Sequence, residues 1–225
     1  MLDVGLICEG ITDQRVLRRM IWTYFGDTNI PVTELEPQLD ETDKNRMVRP
    51  GNWSHVLNYC ASEELLEAFQ FRSHLIIQID SDVCADYGVN SRSDSGDDLA
   101  PDELIEAVRR HIIDQIGLEA YEMIQDRLLL AICVHSMECW FLPCYYPSDK
   151  SKRVKIVSCL DTLNPALQKK HGFTIVEKKP EYYDAIAREA FGKRKDIEKA
   201  ADHQPSLRRF LDQLDAIEPQ IADAS

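Results

Sequence analysis

The amino-acid sequence predicts an α/β fold, in which a mostly parallel β-sheet is flanked by helices and followed by a small helical C-terminal extension. Three observations predict this fold. Short, almost continuously apolar segments occur at 2–8, 73–79 and 128–134, as in strands that are buried on both faces of a parallel sheet. Amphipathic, helix-like segments separate them, which is the order that strand–helix–strand units produce. Each apolar segment ends at or shortly before an acidic residue.

The first half of the chain is predicted to begin with a strand–helix unit. Thr12 or Asp13 is predicted to cap the helix that follows the first strand. A short strand at 32–35 and a surface loop are predicted after it, among several prolines. The segment 53–69 is amphipathic, which predicts a helix with a break near Ser62.

The second half is predicted to add two strands and then only helices. The segment 73–79 is the clearest strand, and an acidic loop rich in Gly, Ser, Asn and Asp follows it. Pro101 stands where the first turn of a helix tolerates proline, and a further helix at 121–127 precedes the last strand. Beyond residue 150 we predict several short helices, with one further strand considered at 173–176.

The charge distribution divides the chain into two parts. The 225 residues have a net charge of -13, yet residues 1–149 carry -16 and residues 150–215 carry +5. We therefore predict a catalytic domain at 1–147 and a basic helical extension at 148–225. A basic extension suits a polyanionic ligand, and a solvated helical surface with an excess of Lys and Arg would show the same pattern.

Cysteine usage and hydropathy bear on the cellular compartment. The seven cysteines are odd in number and lack zinc-binding spacing, which favours free thiols in a reducing compartment. No apolar run approaches the roughly 20 residues that cross a bilayer, and the N-terminal segment lacks the pattern of a signal peptide. These features predict a cytoplasmic protein without a membrane partner.

Acidic side chains follow three of the predicted strands. Glu9 follows the first, Asp80 and Asp82 follow the middle one, and Glu138 comes just past the last. Because the carboxyl ends of parallel strands share one edge of the sheet, these side chains are expected to converge. Carboxylates in one place repel each other unless a cation lies among them, and oxygen ligands suit Mg²⁺ or Mn²⁺.

Local geometry supports the same interpretation. Residues i and i+2 of a strand point to one side, so Asp80 and Asp82 are expected to share a metal ion or hold two neighbouring ones. Gly10 leaves room beside Glu9 for a phosphate group or a water molecule. Taken singly, each acidic residue also has an ordinary explanation, as part of a turn, an exposed loop or a solvated helix.

The segments ICEGITDQ, IIQIDSDV and ICVHSMECWFL resemble the Toprim domain, which is shared by type IA and II topoisomerases, bacterial primases, recombination mediators and overcoming-lysogenization-defect nucleases. The likeness covers about 3–145 and is greatest to small stand-alone Toprim-like proteins of bacterial defence and phage-associated islands. It implies that Glu9 is a general acid/base or metal ligand, that Asp80 and Asp82 bind metal, and that Glu138 holds a second metal. Unlike those nucleases with a fused ATPase, the chain has no GxxxxGK[ST] phosphate loop, so an ATPase would be a separate chain.

The resulting prediction is a nuclease that uses Mg²⁺ or Mn²⁺, with two ions expected, to hydrolyse phosphodiester bonds in DNA or RNA as an effector in antiphage defence. Predicted partners are the nucleic acid and a separate ABC-type ATPase or sensor, and a homodimer is compatible with the sequence. Candidate phosphate-binding residues are Lys150, Lys152, Lys193 and Lys195, for which a role in surface solubility is the alternative.

Two other functions fit parts of the pattern. A non-catalytic Toprim-like module could bind a partner or regulate an ATPase-containing complex, which the acidic body of the chain would suit. The DxD after an apolar strand also resembles haloacid-dehalogenase phosphatases, in which Asp80 would be the nucleophile and Asp82 a general acid. The phosphatase alternative leaves Glu9 without a purpose.

Overall fold

A computed structural model of the chain describes residues 2–38 and 52–223, with side chains to residue 217. Its strands are β1 (Val4–Ile7), β2 (Val32–Glu36), β3 (His74–Asp80) and β4 (Leu128–Cys133). The α-helices, in chain order, are α1 (Ile11–Phe25), α2 (Trp53–Cys60), α3 (Glu63–Ala68), α4 (Pro101–Ile116), α5 (Leu118–Ile124), α6 (Leu142–Tyr145), α7 (Lys150–Arg153), α8 (Cys159–His171), α9 (Pro180–Ala190), α10 (Arg194–Ala201) and α11 (Pro205–Asp223). Short 3₁₀ helices lie at Cys84–Tyr87, Gln125–Arg127 and Met137–Phe141.

The four strands form one sheet in the order β2-β1-β3-β4, and each neighbouring pair is parallel. The chain leaves β1 toward β2 on one side and later returns to place β3 on the other side of β1. The sheet therefore has a topological switch point between β1 and β3. In open α/β sheets, ligands bind beyond the carboxyl ends of the strands at such a point.

Helices cover both faces of the sheet because successive strand residues point to opposite faces. Leu6 and Ile76 belong to one hydrophobic cluster, together with side chains of α1 and of the helices after β4. Ile7 and Ile77 belong to a second cluster, together with side chains of α2, α3, α4 and α5. The result is a three-layer arrangement, which confirms the predicted α/β class and agrees with a Rossmann-like fold.

The helices after β4 pack closely on the rest of the chain. Helix α9 lies against α1, and α11 lies against the edge strand β4. Trp140 and Phe141 are fully buried, stack on Phe210 and Phe191 respectively, and so join the segment after β4 to the C-terminal helices. One hydrophobic cluster contains residues from both sides of residue 147. The predicted domain boundary there stays a prediction.

The predicted strands and helices agree with the structure to within a few residues, with two exceptions. Residues 173–176 do not form a strand. Helix α1 begins with Gly10 at its N-cap and has no side-chain cap, so the prediction that Thr12 or Asp13 caps it is wrong. The predicted break near Ser62 is confirmed, because α2 ends at Cys60 and α3 begins at Glu63.

The cysteines differ from the expectation of free thiols throughout. Cys139 and Cys159 form a disulfide that joins the turn after β4 to the start of α8. The remaining five cysteines are free. The two half-cystines are 20 residues apart in sequence and meet only because α8 folds back on the 3₁₀ helix Met137–Phe141. Separately, no helix within the described ranges is both long and apolar enough to cross a membrane.

Candidate functional site

The predicted acidic residues meet at the switch point of the sheet. Glu9 lies two residues beyond the end of β1, and Asp80 is the last residue of β3. Since β1 and β3 are parallel neighbours, their carboxyl ends lie side by side. Glu138 reaches the same region from the 3₁₀ helix after β4. The strand order therefore accounts for the convergence of side chains that are far apart in the sequence.

A hydrogen-bonded chain fixes Glu9 and Asp80 to each other. The backbone N–H of Asp80 donates to Glu9 Oε1 at 2.6 Å, and the backbone N–H of Glu9 donates to Gln78 Oε1 at 3.1 Å. The Gln78 amide then donates to Asp80 Oδ1 at 2.8 Å. Gln78 is fully buried, so this side chain positions both acidic residues from within the sheet. Tyr87 adds a bond from its hydroxyl to the Asp80 carbonyl oxygen at 3.0 Å.

Asp13 is an acidic residue of the site that the sequence analysis assigned to another role. It lies in the first turn of α1 and is buried, and its Oδ1 atom has no hydrogen-bond partner. A Cβ atom at position 10 would come within 3.0 Å of Asp13 Oδ2. Gly10 therefore makes room for the Asp13 carboxylate, which is a physical reason for glycine that the sequence did not reveal.

Glu138 is held by a lysine and a tyrosine from the C-terminal part of the chain. Its carboxylate is almost completely buried and lies 3.1 Å from Lys178 Nζ. The hydroxyl of Tyr183 donates to the same oxygen, Oε1. Tyr183 is fully buried, whereas the Lys178 side chain remains 46% exposed. Glu138 is thus a buried residue, and its alternative explanation as a solvated helix residue is wrong.

Asp82 differs from the other acidic residues because it is exposed. Strand β3 ends at Asp80, so the alternation of side chains in a strand does not extend to Asp82. Its backbone N–H donates to the His135 carbonyl oxygen at 3.0 Å, and the His135 N–H donates to Ser81 Oγ at 2.8 Å. These bonds tie the exits of β3 and β4 together and hold Asp82 at the solvent side of the edge.

Burial and mutual repulsion disfavour the ionised form of three of these carboxyl groups. Burial raises the pKa of Glu9 to about 7, and the charges of Asp13 and Asp82 add to the effect. Burial likewise raises the pKa of Asp13 to about 6, although the charge of Lys178 opposes it. The pKa of Asp80 lies well above its usual value because of burial and the charges of Asp13 and Glu9. The site is therefore short of positive charge.

Glu138 and Lys178 titrate in the opposite sense, as a stable ion pair would. Burial alone would raise the pKa of Glu138, but the Lys178 charge and the hydrogen bonds from Tyr183 and Ser136 outweigh it and lower the pKa. Burial alone would lower the pKa of Lys178, yet the charges of Glu138 and Asp13 raise it. At neutral pH, Glu138 is therefore an anion and Lys178 a cation.

The carboxylates are close enough to influence one another but do not form a ligand shell. Throughout residues 2–38 and 52–223, no three His, Cys, Asp or Glu side chains are grouped as they would be around a metal ion. One oxygen of Glu9 and one of Glu138 already have partners: the Asp80 N–H for Glu9 Oε1, and Lys178 with Tyr183 for Glu138 Oε1. Asp13 Oδ1, by contrast, is buried without a hydrogen-bond partner.

The lysines that were predicted to bind phosphate lie on the surface. Lys150, Lys193 and Lys195 are exposed, and Lys152 pairs with Asp149 at 3.5 Å. The lysine that contacts an acidic residue of the site is instead Lys178. A role in substrate binding for the four surface lysines stays a prediction.

Sequence reasoning missed Asp13, Lys178 and Tyr183 for different reasons. Asp13 follows Glu9 by four residues, and a helix that starts between them turns its first-turn side chain back toward the strand end, so the spacing was a usable signal. Lys178 lies in an irregular segment before α9, and Tyr183 lies on an amphipathic helix. Nothing in the local sequence of either residue indicates that it packs against Glu138.

No match to this chain was found among models of protein families, among curated proteins or among solved structures.

Proposed function

We propose that this protein hydrolyses phosphodiester bonds of nucleic acid with the help of a divalent cation, Mg²⁺ or Mn²⁺, in the manner of the Toprim-like nucleases that its sequence resembles. The observation that carries the proposal is the cluster of Glu9, Asp13, Asp80 and Glu138 at the switch point of the parallel sheet. Four carboxyl groups share this region with one ammonium group, that of Lys178.

The residues fit a hard divalent cation. Every candidate ligand is a carboxylate, and Mg²⁺ prefers oxygen ligands and keeps several water molecules. Asp13 Oδ1 is buried without a partner, and such an acceptor is stabilised by a cation. Glu9, Asp13, Asp80 and Asp82 are the residues that would hold it, and the earlier assignment of Glu138 to a second ion is retained as part of the proposal. When bound, the ion would supply Lewis-acid polarisation of a phosphoryl oxygen and activation of water.

The remaining groups have roles that follow from their contacts. Glu9, whose pKa is about 7 without a cation, has an alternative role: where the other carboxylates hold the ion, it can accept a proton from water and return it to a leaving oxygen. Lys178 is a half-exposed cation at the site, and it can bind a non-bridging phosphate oxygen. Tyr183 holds Glu138 in place and keeps one of its oxygens occupied. The wider role as an effector of antiphage defence with a separate ATPase rests on the sequence resemblance.

The test is cleavage of labelled plasmid DNA, single-stranded DNA and tRNA with Mg²⁺, Mn²⁺ or EDTA. We expect metal-dependent cleavage by the wild type that falls by about 100-fold or more in Glu9→Gln and Asp80→Asn. The matched control is Asp94→Asn, which removes an exposed carboxylate from the loop after β3 and is expected to cleave as the wild type does.

Calorimetric titration of Mg²⁺ and Mn²⁺ separates two kinds of negative result. Metal binding that is lost in Asp80→Asn, without cleavage by the wild type, would support the metal site and indicate that a partner must activate the chain. If the wild type shows no cleavage and binds no metal, the proposed function is refuted.

A further inference from the structure

A basic segment stands out against the acidic remainder of the chain. Residues 145–182 contain eight Lys or Arg and four Asp or Glu, a net charge of +4, whereas the whole chain carries -13. Lysine and arginine that are concentrated in one region of an acidic protein create a local field that attracts polyanions.

Aromatic rings are interleaved with these lysines and touch one another in sequence. The ring centroids of Tyr145 and His171 are 5.9 Å apart, those of His171 and Phe173 5.5 Å, and those of Phe173 and Tyr182 4.5 Å. The last two pairs are stacked, and all four side chains are half-buried. Lys170 Nζ lies 5.3 Å from the centre of the Tyr145 ring. The rings are thereby fixed in orientation while part of each stays open to solvent.

A cavity of about 580 Å³ opens at one end of this row of rings. Its walls are Tyr145, Tyr146, Pro165, Ala166, Lys169 and Lys170. The volume lies within the range of pockets that hold small organic ligands, roughly 300–1,000 Å³. Two phenol rings and two ammonium groups are the chemistry that a nucleotide needs, since a base stacks on a ring and a phosphate pairs with a lysine. Lys170 also pairs with Glu189 at 2.5 Å, so a phosphate would share that lysine with the carboxylate.

The other end of the row lies next in the chain to residues that contact the acidic site. Tyr182 precedes Tyr183, whose hydroxyl donates to Glu138. Lys178, which lies 3.1 Å from Glu138, belongs to the short segment that joins Phe173 to Tyr182. Ring contacts therefore join the cavity to Tyr182, and the chain itself joins Tyr182 to Tyr183 and Lys178, which contact Glu138.

We propose that this aromatic–lysine surface, which consists of Tyr145, Tyr146, Lys169, Lys170, His171, Phe173 and Tyr182, binds single-stranded nucleic acid and leads it to the acidic site. The inference deepens the proposed nuclease function and rests on it. A duplex keeps the faces of its bases stacked inside, so only an unpaired strand can use the rings. An acidic protein would match the lysines but would leave the rings without a partner.

Binding is measured in EDTA, so that cleavage does not enter, by fluorescence anisotropy of labelled oligonucleotides of about 12 nucleotides. The ligands are single-stranded DNA, single-stranded RNA and a DNA duplex of equal length. We expect a single strand to bind more tightly than the duplex. The tighter binder of single-stranded DNA and single-stranded RNA indicates which nucleic acid is the substrate. In Lys169→Gln/Lys170→Gln we expect binding about fivefold weaker or more, and a salt dependence shallower by about 1.4 in log–log slope.

The matched control for charge is Arg92→Gln/Arg110→Gln, which removes two exposed cations from the acidic part of the chain and is expected to change affinity by less than about twofold. The aromatic part is tested by Tyr145→Leu, for which we expect a loss of about fivefold or more, whereas Tyr145→Phe keeps the ring and the affinity. Thermal unfolding of each variant shows whether the fold is retained.

Several results would overturn the inference. These are a wild type that binds no oligonucleotide, a duplex that binds as tightly as the single strands, and lysine variants that lose no more affinity than the arginine control. Equal affinity of wild type and Tyr145→Leu, with displacement by heparin, would reduce the surface to a general polyanion site and overturn it as well. Because binding is read without metal, strand binding that depends on the surface supports the inference even where the cleavage test refutes the proposed function.

Discussion

Replacement of Lys178 by methionine tests whether the buried carboxylates of the site depend on the positive charge of this lysine. The variant keeps most of the length of the side chain and removes the charge that faces Glu138. In the variant, the Glu138 carboxylate loses the positive charge that keeps it ionised, and because Glu138 is buried, water does not replace that charge. Removal of one partner from a buried ion pair is costly because the other charge is left without compensation.

The magnitude follows from the geometry of the pair. At 3.1 Å and an effective dielectric constant of about 20, two unit charges attract each other by about 5 kcal/mol. The Lys178 side chain is 46% exposed, so solvent screens much of this attraction. We therefore expect the free energy of unfolding to fall by about 2 kcal/mol at pH 7. The pair lowers the pKa of Glu138, so its contribution is present above about pH 4.5 and fades as the pH falls below that value.

The measurement is urea unfolding followed by tryptophan fluorescence at pH 7 and pH 4, in EDTA and in Mg²⁺. The control is Lys179→Met, which removes a neighbouring lysine whose partner is Glu177 at 4.0 Å, and it is expected to change stability by less than about 0.5 kcal/mol. If the proposed metal binding holds, Mg²⁺ stabilises Lys178→Met more than the wild type. Equal stability of Lys178→Met and Lys179→Met at pH 7 would refute the electrostatic account of the site.

Three further predictions concern pH, the edge of the sheet and the disulfide. The raised pKa values of Glu9 and Asp13 mean that the folded state binds more protons than the unfolded state. In EDTA, their contribution therefore lowers the free energy of unfolding by on the order of 2 kcal/mol as the pH rises from 4.5 to 7. Urea titrations at several pH values should show this decline, and Mg²⁺ should reduce it. The Gln213 amide donates to and accepts from the backbone of edge strand β4 at 3.0 and 2.8 Å. Gln213→Ala should therefore lower the free energy of unfolding in urea by about 1–2 kcal/mol and promote association through the open edge, measured by light scattering. Unchanged stability and unchanged light scattering would contradict this role. Replacement of Cys139 and Cys159 by alanine should lower the free energy of unfolding by about 3 kcal/mol relative to the oxidised protein. Thiol titration of the unfolded wild type should find five free thiols, whereas seven would show that the disulfide does not form.

Much of the framework could be predicted because its signals are local. An apolar segment such as 73–79 forms a strand wherever it is buried on both faces, and a chain of alternating strands and helices forms a parallel sheet. Parallel strands bring their carboxyl ends together, so the approach of Glu9 to Asp80 followed from the sequence. The burial of Glu138 did not, because its neighbours Lys178 and Tyr183 come from a distant part of the chain.

The sequence by itself determined the α/β class, the position of each strand and the edge at which the acidic residues lie, since periodicity and composition act over a few neighbouring residues. The tertiary structure decided which side chains complete the site. Packing of α9 on α1 sets Lys178 and Tyr183 beside Glu138, and the start of α1 at Gly10 turns Asp13 inward. Such choices depend on how helices dock over long sequence separations, and a local pattern contains no record of them.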